Sequence, residues 1–360
     1  MRVSSISTYV LNNARRNIIS EGQYDLMKAS HEMATGQVYD SGLALGRKTG
    51  RLVDVENQMS YLEGYSTSNK LLTLRLSSVQ VAIQSLIASG DKEATLGSLI
   101  IFNNMLVGDA GNATPSAAQA VAQNALGAFI SALNTNFNGE YIFGGTNTSE
   151  PPLKFYKVGG ETDPSKIVKE TFENFLNGKK PEDLTSEEME EFIDGSFSDL
   201  FNEENFKDFF SNAQDGSIEK HIAPNGDEVD AAVSANDKGF RDAMKNLILV
   251  AEFGDIGLSK EAQESLFSRA QASADNTSTS SAVDEIIATA SRVGNTEARV
   301  KAATQQIETQ VGLLKEAQIN MIGVDAAEVA QKVKALEAML EASYTLTNMM
   351  RRLSLINYLK

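Results

Sequence analysis

Cysteine and tryptophan are absent from this 360-residue chain, histidine occurs twice, and proline six times. Without cysteine there can be no disulfide, no thiolate metal site and no cysteine nucleophile. No apolar run approaches the roughly 20 residues needed to cross a bilayer. The opening MRVSSISTYVLNNARR lacks the apolar core, about 7–15 residues long, of a cleavable secretory signal. The chain is therefore expected to be cytoplasmic, or exported by a route that reads something other than a hydrophobic leader. Positive charge is also scarce: the net charge of −16 argues against a nucleic-acid backbone or an anionic membrane as the main partner. The excess is concentrated, with 16 Asp/Glu against 5 Lys/Arg between Glu161 and Asp215, so this block presents a different surface from its flanks, that of a solvated face.

What is present is heptad spacing. Val55, Gln58, Leu62, Tyr65, Asn69, Leu72, Leu76, Val79, Ile83 and Leu86 follow one another in steps of three and four, and all but Gln58 and Asn69 are apolar. A period near 3.5 residues keeps one stripe facing a partner helix, which predicts a long helix in a bundle or coiled coil. Asn69 reads as a place where the seam turns toward solvent, with fixing of register as the alternative. A matching pattern lies far away in Val300, Thr304, Ile307, Val311, Leu314, Gln318 and Met321, and after Gly323 another follows in Val329, Val333, Leu336, Leu340, Leu346, Met350, Leu353 and Ile356, with Ser343 interrupting the apolar seam. As one helix, residues 324–360 would be about 55 Å long. Val3, Ile6, Val10, Leu11, Ile18, Tyr24 and Met27 give the other end of the chain an amphipathic, more ragged pattern. An isolated amphipathic helix is marginal in water, so the two ends are expected to pair. Paired only with each other they would barely hold, because ordering each residue costs about as much as burying it gains. The terminal stripes therefore read as an interface rather than plain core, ordering fully when copies pack together.

The middle differs. Ala117–Phe137 carries a helical pattern, and FNGEYIFGGTNTSEPP then breaks it with an Asn138-Gly139 turn, a short strand at 140–143 and a second turn at 144–147. A phosphate loop would need a Lys after the glycines and a helix beyond them; here Pro151-Pro152 follows, and the stretch reads as a helix-to-strand joint. Short helices are expected at 166–178 and 186–193, the second opened by a capping box from Thr185 to Glu188, then a hairpin over 215–233 and a helix over 240–253. The expected fold is mainly α: a long antiparallel helical bundle or coiled coil formed by the N- and C-terminal regions, with a central α+β insertion. Its divisions are 1–32 with 325–360 as a terminal coiled-coil region, 33–146 with 239–324 as a helical stalk, and 147–238 as an acidic insertion whose ends lie close together.

Catalysis finds little to build on. His221 near Asp227 or Glu228 falls in an expected solvent hairpin with no oxyanion site, and His31 lies on a helical surface. Asp194-Gly195 and Asp215-Gly216 lack the preceding ligands of a calcium loop. No enzyme, cofactor or metal role is expected.

The order of these parts, with MRVSSISTYV at the start, Met33-Ala-Thr-Gly36 with Asp40 shortly after, FNGEYIFGGTNTSEPP, and the closing NMMRRLSLINYLK, resembles the flagellin superfamily over about residues 1–150 and 285–360. Within it, the FNGEYIFGGTNT stretch is most similar to the hook–filament junction branch, hook-associated protein 3. One departure is SGLALGRKTG, where the family commonly has an Asp-Asp-rich turn. The resemblance implies an uncleaved N-terminal signal, export unfolded through the flagellar type III channel, and an extracellular place at the hook–filament junction with the insertion facing outward. It also implies self-association in a ring, contacts with a hook-side junction protein (hook-associated protein 1) and with flagellin, and an export chaperone on the C-terminal helix. Assembly would rest on Val3, Ile6, Val10, Leu11, Val329, Val333, Leu336, Leu340, Leu346, Met350, Leu353 and Ile356. The alternatives are a filament flagellin subunit and a monomeric helical scaffold or binding protein.

Overall fold

The computed structural model describes residues 8–88, 96–108, 114–272 and 281–358, with the side chains of residues 8, 9, 11, 12, 107, 108, 272 and 351–358 outside that description. In chain order the elements are α1 (Thr8–Thr35), α2 (Ser41–Leu45), a 3-10 turn (Gly46–Lys48), α3 (Thr49–Ile87), α4 (Ser98–Gly108), α5 (Pro115–Leu133), β1 (Asn136–Phe137) and β2 (Glu140–Tyr141). Next come α6 (Asp163–Leu176), a 3-10 turn (Pro181–Asp183), α7 (Ser186–Phe192), a π turn (Ile193–Phe197), α8 (Glu203–Phe209), β3 (Glu219–His221) and β4 (Glu228–Asp230). The chain closes with α9 (Lys238–Phe253), α10 (Lys260–Ala272), α11 (Ala282–Ile322) and α12 (Ala326–Tyr358). The fold is mainly α, a bundle of antiparallel helices from the two ends of the chain with a small α+β insertion in its middle. Two compact units form, one from 1–64 with 307–360 and one from 65–306.

In the terminal unit, α1 packs on α12, and the first part of α3 runs antiparallel to the last part of α11. Gln318 Nε2 donates to Glu56 Oε1 at 3.0 Å, and Lys315 lies 3.6 Å from Glu63. The buried stripe on this part of α3 is Leu52, Val55, Met59 and Leu62, and on the last part of α11 Ile307, Val311 and Ile322 are buried. Met59 thus takes the place expected for Gln58, which is exposed. The same slip puts Ser66 inside at 7% exposure, where the spacing had placed Tyr65.

In the central unit the stripe continues through Leu72, Leu76, Val79, Ile83 and Leu86, all buried. Asn69 does not turn to solvent. It is 1% exposed, and its Nδ2 donates to the Ile222 carbonyl at 2.8 Å, so the polar break in the seam fastens the segment next to β3. A buried amide is tolerated because it is hydrogen-bonded. One continuous core joins α4, α5, α9 and α10 to the acidic block. Phe129 and Phe143 close on Phe240 of α9, and Phe172, Phe192 and Phe197 gather on Phe253 with ring centroids 4.6–5.9 Å apart. Tilted and edge-on rings at this spacing are the favourable aromatic arrangements.

Local signals explain the element ends. Thr114 caps α5 ahead of Pro115 at its first turn, which suits a residue without an N–H. Thr185 and Glu188 form the reciprocal capping box of α7. The Gly-rich stretch is a joint. Asn138 and Gly139, with φ of 54° and 89°, make the tight turn between β1 and β2, as a two-residue hairpin requires. Gly145 N donates to the Val233 carbonyl at 3.0 Å, Thr146 N to Gln214 O at 2.9 Å, and Ala235 N to Phe143 O at 2.8 Å, which ties the two ends of the 147–238 block together. Gly145 has φ of +60°, and a Cβ there would sit 1.9 Å from the Gln214 carbonyl oxygen, so the approach of the strands admits only glycine.

Candidate assembly surface

The terminal unit is organised around two chain breaks that lie side by side. Thr35 ends α1 and Gly36 follows with φ of +71°, while Gly323 ends α11. Val38 N donates to Ile322 O at 2.9 Å and Val324 N donates to Gly36 O at 3.0 Å, a two-way clasp between the connectors. Each connector then restarts a helix with an aspartate. Asp40 Oδ1 accepts from Leu43 N at 2.8 Å to open α2, and Asp325 Oδ1 accepts from Ala327 N at 2.8 Å to open α12. A carboxylate at a helix start satisfies orphan N–H groups and favours the positive end of the helix dipole. SGLALGRKTG, where the family pattern departs, folds as the short α2 followed by the 3-10 turn.

From the clasp, α1 and α12 run antiparallel. Ala29 is fully buried with Val329 and Val333, and Leu26, Val324 and Leu336 pack against them. Further along, Gly22 lets the helices approach closely: a Cβ there would lie 2.9 Å from Met339 Cε and 3.0 Å from Leu340 Cδ2. Gln23 Nε2 then donates to the Tyr344 hydroxyl at 2.8 Å.

This geometry separates the expected assembly residues into groups. Val329, Val333 and Leu340 are buried and Leu336 half-buried, so this part of the stripe is used inside the chain, against α1. Met350 is half-buried. Leu346 is 55% exposed and Val10 57% exposed. Val3 and Ile6 lie outside the described residues, as do the side chains of Leu11, Leu353 and Ile356. The buried stripe of α12 proceeds by threes and fours through Val329, Val333, Leu336 and Leu340 to Ser343, Thr347 and Met350. Leu346 belongs to a second stripe with Ala342 and Met349, all exposed, and the sequence spacing carries that stripe on to positions 353 and 356. In the sequence Ser343, which interrupts the apolar seam, carries the spacing from Leu340 to Leu346 in two steps of three and so joins the two stripes.

Sequence reasoning also passed over an exposed aromatic group on α1 and its connector. Lys28 Nζ lies 4.2 Å from the centre of the Tyr24 ring and 5.9 Å from that of Tyr39, and His31 meets Tyr39 edge-on at 5.3 Å. A cation over an exposed ring contributes roughly 0.5–1 kcal/mol, and Tyr24 and Tyr39 are 51% and 40% exposed.

Among the described residues, the perturbed ionisable groups lie in the central unit. The Tyr156 hydroxyl donates to Glu252 Oε1 at 2.7 Å, and Gly159 N donates to Glu252 Oε2 at 3.1 Å. Burial pushes the Glu252 carboxyl above its ordinary value, only partly offset by these bonds, and burial together with the adjacent carboxylate pushes the Tyr156 hydroxyl far up. Asp237 is raised chiefly by burial, with Arg292 pulling the other way. For Asp215, burial is outweighed by hydrogen bonds from Lys207, Asn236 and Ser234, so it titrates below the usual range. None of these surrounds a nucleophile. His221 sits on exposed β3 with Nδ1 2.8 Å from Glu228 Oε1. Among the described residues no group of three His, Cys, Asp or Glu side chains is placed to hold a metal, and no helix is long and apolar enough to cross a membrane.

Two family models match the ends of the chain. The bacterial flagellin N-terminal helical region matches residues 6–148 and the bacterial flagellin C-terminal helical region matches residues 277–359. No curated protein sequence matches the chain. Among solved structures, a Vibrio parahaemolyticus protein described as a flagellar hook-associated protein is similar at 11% identity with a TM-score of 0.49, over 76% of this chain and 97% of that one. Both flagellin terminal regions are present, in order and together spanning more than half of the sequence: the chain belongs to the flagellin superfamily.

Proposed function

We propose that this protein is a structural subunit of the bacterial flagellum that joins hook to filament. In this reading it is exported unfolded through the type III channel, caps the hook as a ring of copies, and meets a hook-side junction protein on one side and flagellin on the other. Residues 1–32 and 325–360 form the assembly region, 33–146 and 239–324 the stalk, and 147–238 an outward acidic block. The observation that carries the assembly role is the second stripe of α12, where Leu346 is 55% and Met349 57% exposed along one face. A helix that has already buried one stripe inside its chain gains nothing from a second in water. The same stripe offers an apolar face to an export chaperone before assembly, in the manner of a helix laid into a groove. The junction role, as against that of filament subunit, is supported by the resemblance of FNGEYIFGGTNT.

Deletion separates the readings. Loss of a junction protein releases flagellin monomers into the medium from cells that still carry hooks. Loss of a filament flagellin leaves hooks with a complete junction and no secreted monomer, and loss of an unrelated scaffold changes neither. Retention of filaments after deletion would contradict the proposal.

A further inference from the structure

The sequence contains three Asn-Gly pairs, Asn138-Gly139, Asn177-Gly178 and Asn225-Gly226, and all six residues are exposed. Such a pair can react with itself, because glycine has no side chain to shield its amide nitrogen from the carboxamide before it. Exposure does not tell the three apart, but their amide hydrogens do. Gly139 N donates to Asn136 Oδ1 at 2.9 Å, inside the hairpin formed by β1 and β2. Gly226 N donates to the Ala223 carbonyl at 3.3 Å, and Asn225 Oδ1 is itself engaged by Asp227 N at 3.2 Å. Gly178 N meets no acceptor among the described residues.

Asn177 and Gly178 form the C-terminal stop of α6. Asn177 caps the helix in the left-handed region, with φ of 46°, and Gly178 follows with φ of +88° and open space where a Cβ would stand. The turn is closed by a backbone bond from Lys179 N to Leu176 O at 2.8 Å, and the chain stays exposed through Lys180. We infer that Asn177 is the preferred site of intramolecular deamidation in this protein. The Gly178 amide gives its proton to solvent base and its nitrogen attacks Asn177 Cγ. A new C–N bond closes a succinimide ring, the Cγ–Nδ2 bond breaks, and Nδ2 takes up a proton and leaves as ammonia. Water then opens the ring at one of its two carbonyls, leaving aspartate or isoaspartate. Aspartate places a negative charge at the negative end of the α6 dipole. Isoaspartate lengthens the backbone by one carbon and abolishes the left-handed cap. Either product loosens the last turn of α6, which holds the buried Leu176. The reaction needs only this chain and water, so the inference does not depend on the flagellar reading.

The test incubates the purified full-length chain in warm, mildly alkaline buffer, once folded and once in concentrated urea, and follows each Asn-Gly peptide by mass spectrometry after digestion. In the folded chain Asn177 is expected to convert about tenfold faster than Asn138 or Asn225, the scale set by one hydrogen bond to the attacking amide. In urea the three should convert at comparable rates, because the reacting pair is the same. Equal rates in the folded chain, or a lead by Asn138 or Asn225, overturns the inference, as does a lead by Asn177 that persists in urea, which would trace it to local sequence rather than to the fold. Asn136→Ala removes the acceptor that holds Gly139 N and should raise the Asn138 rate about tenfold while leaving Asn177 unchanged, with circular dichroism verifying the fold. An unchanged Asn138 rate in folded N136A contradicts the proposed protection, and if N136A does not fold the wild-type comparison decides alone.

Discussion

The two units invest their apolar residues in opposite ways. The central unit contains all of the largest fully buried side chains, among them Phe129, Phe143, Phe192, Phe197, Phe206, Phe210 and Phe240. The terminal unit is about a third of the chain, yet among the described residues it carries 15 of the 22 large hydrophobic side chains left exposed. One unit is a finished core. The other is a set of helix pairs with apolar stripes on more than one side, a surplus that soluble monomers avoid. The centre draws its stability from its own packing; in the proposed role the ends would draw part of theirs from neighbours in the assembly.

Several substitutions sharpen or break this contrast. The largest effect is expected from Phe192→Ala, which empties the middle of the phenyl cluster and should lower the stability of the central unit by about 3–5 kcal/mol, read from its urea transition, while the helicity of the terminal unit is little changed. Gly145→Ala forces a side chain into a left-handed backbone position against the Gln214 carbonyl and should cost at least about 2 kcal/mol in the same transition. Leu340→Ala, in the one buried stripe between α1 and α12, should cost about 2 kcal/mol, confined to an earlier, terminal transition seen by circular dichroism. Leu346→Ser tests the opposite case. On the exposed stripe it should change monomer stability by less than about 0.5 kcal/mol but lower the amount of the chain recovered in isolated flagella, and an equal loss of monomer stability would show that this stripe is core after all.

The smallest expected effect concerns pH. Burial raises the Glu252 carboxyl in the folded state, so the folded protein holds this proton more tightly than the unfolded chain does. Its contribution therefore favours folding at pH below the ordinary carboxylate range and is lost as pH rises through the raised value. Glu252→Gln keeps an acceptor for the Tyr156 hydroxyl and removes the charge. It should flatten the fall in central-unit stability between mildly acid and neutral pH, as followed by urea unfolding across that range.

Much of the helical layout was legible because heptad spacing is a local signal. The stripe from Val55 to Leu86, the break at Gly323, the capping box at Thr185 and the joint at 136–147 all depend on residues within a few turns of one another. What escaped depends on distant partners. Asn69 looked like a solvent-facing interruption, because only folding brings the Ile222 carbonyl, 153 positions away, to its amide. The Tyr156–Glu252 pair spans 96 positions and leaves no spacing to read. The acidic block looked separate by charge, yet its phenyl rings belong to the core of α9, since surface charge reports on the outer face of an element and says nothing of its inner one. On α12 two apolar stripes on one helix overlap in any linear list, and only the position of α1 tells them apart.

The most direct test of the central claim is amide hydrogen exchange, mapped by mass spectrometry, on the purified monomer and on the assembled protein. The account predicts strong protection of 65–306 in both states, with α1 and α12 exchanging readily in the monomer and becoming protected only on assembly. Strong protection of α1 and α12 already in the monomer would contradict it, and would mean that the terminal helices are a self-sufficient core rather than a surface awaiting neighbours.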